Sequence, residues 1–317
     1  MEKGKKISIL GAGNVGSSIA FSLAIQGLAS EIVLVDINRD KAIGEAMDIY
    51  QGTAICPPVN IIAGDYKDMA GSDIVVVTLG SARKPGQTRI DLAQGNINII
   101  KSVIPEAVKN APEAIYVVVS NPVDIVTYTM LKISGLPESQ IFASGTLLDT
   151  IRLRAAIAKN VGVNPKCVHA YVFGEHGDSS MIPWSLTSIS GIPLDEYTSS
   201  ERFKQSDYVA PDRSALLQDV RTSGAKVIKL KGATFYAIAI TASHICECIL
   251  RDTKSVLTLS TMMHGEYGIE DVCLSLPTVV GASGITNIMA PKLPDNEVAE
   301  VVKSANALKE VIGSLSI

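Results

Sequence analysis

The sequence predicts an α/β fold, a doubly wound parallel sheet followed by an α+β half. Three observations predict it. Short β-branched runs alternate with longer helical patterns through the first 145 residues. A glycine-rich turn joins the first run to the first helix. After Gly145 the texture changes to longer helices and longer strands.

Taken in order, Ile7–Leu10 reads as a strand, then a glycine turn, then a helix from Val15 to Leu28. Glu31–Asp36 is the next strand and Lys41–Tyr50 the next helix. Ser72–Leu79 is a strand with an unbroken Ile74-Val75-Val76-Val77 centre, as burial on both faces demands. Thr88–Lys109 reads as a helix, Ala114–Val119 as a strand, and Pro122 opens a helix at a position that tolerates it. Ile141–Ala143 closes the alternation. Beyond it come a helix at Leu147–Asn160, a strand at Val168–Phe173, and helices at Ser206–Leu230 and Ala233–Asp252. Strand-like runs then lie between Ser255 and Ile288, before a helix from Asp295 to Ile312. The expected division is a cofactor half, 1–145, and a substrate half, 146–317, with no linker, repeat or low-complexity segment between them.

Composition narrows the function classes. Of 317 residues, 47% are apolar, enough for a sizeable core. Charged residues make up 19% and the net charge is −4, so there is no basic footprint for nucleic acid or an anionic membrane. Aromatics, at 5%, are too scarce for base-stacking surfaces. Five cysteines without a C-x-x-C argue against a structural zinc, and no metal is expected. They read as reduced thiols of a cytoplasmic protein, mostly buried. Lys3, Lys5 and Lys6 precede an apolar stretch, but Gly11, Gly13, Asn14 and Gly16 break it, so it is not read as a secretory leader. No apolar run is long enough to span a bilayer.

Gly11-Ala12-Gly13-Asn14-Val15-Gly16 matches G-x-G-x-x-G in the required context, after a strand and opening a helix. Gly11 permits the tight turn, Gly13 lets a pyrophosphate approach, and Gly16 lets helix and strand pack closely. The helix start offers N–H groups to phosphate oxygens. Asp36 ends the second strand, where a carboxylate binds the adenosine ribose hydroxyls and repels a 2′-phosphate. These features read as a Rossmann half that takes NAD.

That site leaves the reaction open. Three other segments carry chemistry. Gly174-Glu175-His176-Gly177-Asp178 places an imidazole between glycines, suited to proton transfer near neutrality. Asp149 and Arg152 are three apart on one helix and share a face. The first can orient His176 and the second can grip a carboxylate in two-pronged fashion. Gly80–Arg89, bounded by glycines near its start and end, carries Arg83, Lys84 and Arg89 and suits a closing lid.

With these motifs in view, the sequence resembles the L-lactate/malate dehydrogenase family, and its bacterial lactate dehydrogenase branch most. The likeness runs from G-A-G-N-V-G at 11–16 through V-S-N-P-V-D at 119–124 and G-E-H-G-D-S at 174–179 to K-G-A-T at 231–234. It implies His176 as acid/base, Asp149 as its partner and Arg152 on the substrate's C1 carboxylate. It implies Arg89 at the reacting carbonyl, Asn121 near nicotinamide and substrate with a cis Asn121–Pro122 bond, and Ser144 and Val15 beside the cofactor. Hydride transfer between NADH and a 2-keto acid would follow, in a homotetramer. The match of Arg154 and His169 to an intersubunit fructose 1,6-bisphosphate site implies an allosteric effector. His169 has a second reading, as a histidine packed on a strand face with Tyr171 and Phe173.

Two residues disagree over the substrate. The resemblance implies that Arg83 takes the lid position that reads the far end of the substrate, and Arg there suits the second carboxylate of oxaloacetate. Thr234, in K-G-A-T, resembles the lactate-type residue that narrows the pocket beside a methyl group. The expectation is a lactate dehydrogenase frame whose Arg83 also admits oxaloacetate; the alternative is a malate dehydrogenase on that frame. Other classes fit less well. Tyr128 and Lys132 match the Y-x-x-x-K of short-chain dehydrogenases, but Ile115 stands where their serine belongs. There is no H-E-x-x-H for a zinc hydrolase. A non-enzymatic NAD sensor would leave Asp149, Arg152, His176 and Arg89 without a purpose.

Overall fold

The computed structural model describes residues 4–81 and 89–317, the side chain at position 89 excepted. The residues around Arg83 that were expected to form a lid, and the Arg89 guanidinium, therefore lie outside the described residues. Arg89 itself opens a helix.

The first half runs β1 (Lys6–Leu10), α1 (Asn14–Gln26), β2 (Glu31–Val35), α2 (Arg39–Gln51), β3 (Asn60–Ala63) and β4 (Ile74–Val77). It continues through α3 (Arg89–Asn110), β5 (Ile115–Val118), α4 (Val123–Ser134) and β6 (Ile141–Ala143). The second half begins with α5 (Leu147–Val161), β7 (Val168–His169), β8 (Ser188–Ile189) and β9 (Ile192–Pro193). Then come α6 (Leu194–Ser199), α7 (Glu201–Lys204), α8 (Arg213–Lys231) and α9 (Tyr236–Leu250). β10 (Ser255–His264), β11 (Glu270–Gly281), β12 (Gly284–Ile288) and α10 (Asp295–Gly313) complete it.

Strands β3-β2-β1-β4-β5-β6 lie side by side and parallel, the order of a Rossmann sheet. The strand order reverses between β1 and β4, which places the ligand crevice beyond their carboxyl ends. Antiparallel β10, β11 and β12 extend the same sheet to nine strands, joined to β6 through the Ser260–Ala143 pair. The two halves therefore share one sheet.

Strand side chains alternate between two apolar layers. Ile7, Ile9, Ile32, Leu34 and Val76 meet Ile19 and Leu23 of α1 and Ile245 and Ile249 of α9. Val33, Val75, Val77 and Val118 meet Ile100 and Ile104 of α3 and Val126 and Met130 of α4. This double burial is why β4 is apolar at every position.

Three elements depart from the sequence reading. The helix expected from Ser206 starts at Arg213. Pro211 lacks an N–H and disfavours helix at the residue before it, and the Asp212 carboxylate caps Ser214 and Ala215 N–H at 2.9 and 3.1 Å. The strand expected over Val168–Phe173 pairs as β7 only at Val168 and His169. Beyond them α5 side chains take the backbone groups: Arg154 Nε donates to Ala170 O (3.0 Å), and Thr150 Oγ1 accepts from Val172 N (2.9 Å). The short edge strand β3 escaped notice because Ile61-Ile62 is too brief a run to signal.

All five cysteines are free thiols, three of them buried. Among the described residues no helix is long and apolar enough to cross a membrane, and no cluster of side chains could hold a metal ion.

Candidate active site

The cofactor loop is shaped by what its glycines lack. Gly11 has φ +101°, and a Cβ there would meet Thr78 O at 2.8 Å. A Cβ on Gly16 would fall 1.9 Å from Gly11 O. Above Gly13 the space is open, and Gly13 caps α1 without a side-chain hydrogen bond. Backbone N–H groups at that helix start face a space an anion can enter. Asp36 accepts from Ala12 N–H at 2.6 Å and Asn38 N–H at 2.8 Å. It thus ties the loop to the end of β2, and a carboxylate has lone pairs left for ribose hydroxyls. These residues fit a dinucleotide.

A cavity of about 310 Å³ continues from this loop between the halves. Val15, Asn121, Ser144, Asp149, Arg152 and His176 all line it. Thr234 lines it as well. Seven of the residues singled out from sequence thus meet at one place, although they come from five segments of chain. Asn121 precedes α4 through a cis peptide bond to Pro122.

At its centre Asp149 Oδ2 lies 2.6 Å from His176 Nδ1, and Asp149 Oδ1 accepts from Arg152 Nη1 at 3.0 Å. The aspartate is 8% exposed and the histidine 30%. Asp149 holds Nδ1 by its proton, which leaves Nε2 as the free nitrogen. Burial alone would lower the histidine pKa. The adjacent Asp149 carboxylate, by charge and hydrogen bond, overrides burial and raises it to about 9. The imidazole is therefore protonated at neutral pH and poised to give a proton.

The turn carrying His176 is held on three sides. Gly174 bridges to Ser275 of β11, Glu175 N–H donates to Ser304 Oγ of α10 (2.8 Å), and His176 N–H donates to Asp124 Oδ2 of α4 (2.9 Å). Reasoning from sequence missed Asp124, although it stood within V-S-N-P-V-D. It also missed Asn96, a buried α3 residue whose amide donates to Asn121 O at 2.7 Å and accepts from Ser81 N–H at 3.0 Å. Arg221 of α8 was missed too: it lines the cavity and donates its guanidinium to Ser180 O. The available signal was a polar residue within an apolar helical face, which is weak alone.

Matches to family models cover almost the whole chain. Residues 5–143 match the lactate/malate dehydrogenase NAD-binding domain, and 146–315 the α/β C-terminal domain of the same family. The chain belongs to the lactate/malate dehydrogenase family. An L-lactate dehydrogenase of Thermoanaerobacterium saccharolyticum is 47% identical over 98% of this chain and 99% of its own. L-lactate dehydrogenase 1 of Clostridium acetobutylicum is also 47% identical, over 99% of this chain and all of its own. The crystal structure of the minor L-lactate dehydrogenase of Enterococcus mundtii, in a ligand-bound form, superposes with a TM-score of 0.93 at 37% identity, covering 99% of both chains.

The family's Rossmann half and NAD chemistry agree with the sequence reading. Arg154 and His169 do not line the cavity. Arg154 is partly buried with its guanidinium over the Tyr171 ring, 5.3 Å from the centroid, and burial lowers its pKa. His169 is exposed, while Phe173 is fully buried, so the packed-histidine reading is corrected. Burial alternates from Val168 to Val172, which leaves His169 on the outer face, and the alternation breaks only at Phe173, which bridges to Met181.

Proposed function

We propose that this chain is an NAD-dependent L-lactate dehydrogenase that interconverts pyruvate and L-lactate. The observation that carries this reading is the Asp149–His176 pair with Arg152 in one cavity, beside Ser144 and the glycine loop. NAD, when bound, supplies or accepts the hydride. Gly11, Gly13, Val15, Gly16 and Asp36 hold its adenosine and pyrophosphate end, and Asn121 and Ser144 stand by the nicotinamide.

The remaining work belongs to the side chains. Arg152 grips the substrate carboxylate and turns the keto carbon toward the nicotinamide side. His176 Nε2 gives its proton to the keto oxygen as the alcohol forms and takes it back in oxidation. Asp149 keeps the ring oriented and stabilises its charged form. Arg89 polarises the carbonyl, and closing the cavity strengthens each of these charge interactions.

Thr234, on the cavity wall, favours a small methyl group, and Arg83 offers a cation to a second carboxylate. We take pyruvate as the main substrate and oxaloacetate as a second one. Comparing kcat/KM for the two tests this: negligible oxaloacetate turnover removes the Arg83 role, and Arg83→Gln should restore strong pyruvate preference. Failure of NADH oxidation with pyruvate, oxaloacetate and larger 2-keto acids alike would overturn the enzyme reading and favour a sensor.

The division into a cofactor half, 1–145, and a substrate half, 146–317, is part of this proposal. So is a homotetramer in the cytoplasm. Exposed Phe21 and Ile25 of α1, Met47 and Tyr50 of α2, and Tyr236 and Ile240 of α9 supply apolar surface for a second copy. Light scattering of a chromatographed sample reads the assembly; a monomer would end this part. Exposed His169 and nearby Arg154 support an intersubunit site for fructose 1,6-bisphosphate, which substrate kinetics indifferent to that sugar would exclude.

A further inference from the structure

The sheet curls back on itself at its antiparallel edge. Strand β12 is separated from β6 by β11 and β10, yet it packs against the turn Glu138–Gln140 that leads into β6. Gly284 of β12, with φ +81°, comes so close that a Cβ there would fall 1.9 Å from Ser139 O. Beside this contact lies a cavity of about 340 Å³. It shares no lining residue with the cavity around His176.

Three kinds of group line it. Met262, Ile285 and Ile288 give apolar surface, and Glu138 and Glu266 bring two carboxylates. Thr261 brings a hydroxyl: the residue is 4% exposed, and the hydroxyl has no hydrogen-bond partner among the described residues. Leaving a buried hydroxyl unpaired costs stability, and a valine of the same shape would avoid that cost. A threonine kept there, on a cavity wall, points to a ligand that completes it.

The carboxylates also have acceptor capacity to spare. Glu138 Oε2 lies 2.6 Å from His264 Nε2, and Glu266 Oε2 accepts the His264 N–H at 2.7 Å. Among the described residues, neither forms an ion pair with a lysine or arginine. Lys132, which borders an adjoining cavity with Glu138, is held by Asp271 at 2.8 Å. Each glutamate keeps its Oε1 and further lone pairs for a donor. No cluster of described side chains could hold a metal ion, so an organic cation fits this place better.

We propose that this cavity binds a primary alkylammonium ion. Its three N–H donors meet the Thr261 hydroxyl, Glu138 and Glu266, and its short apolar stem lies on Met262, Ile285 and Ile288.

The test titrates n-butylammonium chloride into the methyl-labelled full-length enzyme with NADH bound, at constant ionic strength. It follows the methyl resonances of Met262, Ile285 and Ile288. Saturable shifts at these methyls are expected. n-Butanol, with the same stem and no charge, should bind at least about tenfold more weakly, having nothing for the carboxylates. Thr261→Val should weaken butylammonium binding about tenfold, the loss of one hydrogen bond to a charged group. Glu138→Gln and Glu266→Gln should each weaken it only about threefold, because both carboxylates reach solvent. Without amine, Thr261→Val should unfold at the wild-type temperature or slightly above it, since valine buries no unpaired hydroxyl. Equal affinities for amine and alcohol, or no saturable shift, overturn the proposal. So does a Thr261→Val protein that binds butylammonium as wild type does. A Thr261→Val protein that unfolds at a lower temperature without amine overturns it too, because the hydroxyl would then be bonded within the protein.

Discussion

The cofactor loop and the acid/base site are built in opposite ways. The loop is made by neighbours: β1, three residues of turn and the start of α1, tied by Asp36 to Ala12 across 24 positions. The acid/base site is made by distant partners. His176 meets Asp149 across 27 positions and Asp124 across 52, and Asp124 meets Ser260 across 136. A phosphate site needs little more than backbone N–H groups at a helix start, so a contiguous motif can encode it. A proton donor needs a charged partner at hydrogen-bond distance, and α4, α5, α10 and β11 must all be in place before His176 has one.

This contrast can be broken or sharpened by substitution. The largest effect belongs to the acid itself: His176→Asn should cut kcat on the order of a thousandfold while the NADH Kd stays near wild type, since proton transfer is lost and the loop is intact. A comparable loss of NADH binding would mean that the two regions are one. Asp149→Asn should cost about a hundredfold at neutral pH. The sign follows from the His176 pKa of about 9, which depends on Asp149. Without the carboxylate, burial and the Arg152 charge both favour the neutral ring, so reduction should fail at a lower pH than in wild type. A pH–rate profile that keeps its basic limb would contradict this.

Arg152→Lys should raise KM for pyruvate by roughly tenfold or more, because an ammonium cannot make the paired bonds of a guanidinium. An unchanged KM would place the substrate carboxylate elsewhere. In the cofactor region, Gly16→Ala should weaken NADH binding about tenfold and leave kcat at saturation nearly intact, as the new Cβ forces Gly11 aside. Titrating NADH fluorescence reads that directly. The smallest effect is expected at Gly224, a mid-helix cavity residue whose Cβ would meet no atom within 4 Å. Gly224→Ala should stabilise α8 by up to about 1 kcal/mol and raise Tm slightly. It should also reduce turnover of 2-keto acids bulkier than pyruvate more than that of pyruvate. Unfolding at a lower temperature would show that Gly224 serves packing.

Most of the parallel sheet was readable because its strands are bounded by turns and buried on both faces. The glycine loop, Asp36, and the Asp149–Arg152 spacing were readable for the same local reasons. Asp124, Asn96 and Arg221 were not, because each is an ordinary polar residue on a helix until the facing element is known. The break in strand pairing after His169 was hidden likewise: its residues favour strand, but the side chains of Thr146, Thr150 and Arg154 take bonds that a neighbouring strand would have taken, until Phe173 bridges to Met181.

By itself the sequence determined the strand and helix alternation, the dinucleotide turn and the residue types for proton transfer and carboxylate binding. These depend on periodicity and spacing, which are properties of contiguous chain. The tertiary structure alone decided that both halves share one nine-stranded sheet, and that His176 is clamped between two carboxylates. Such contacts join residues tens of positions apart, and their energies exist only once burial has stripped water from the charges involved.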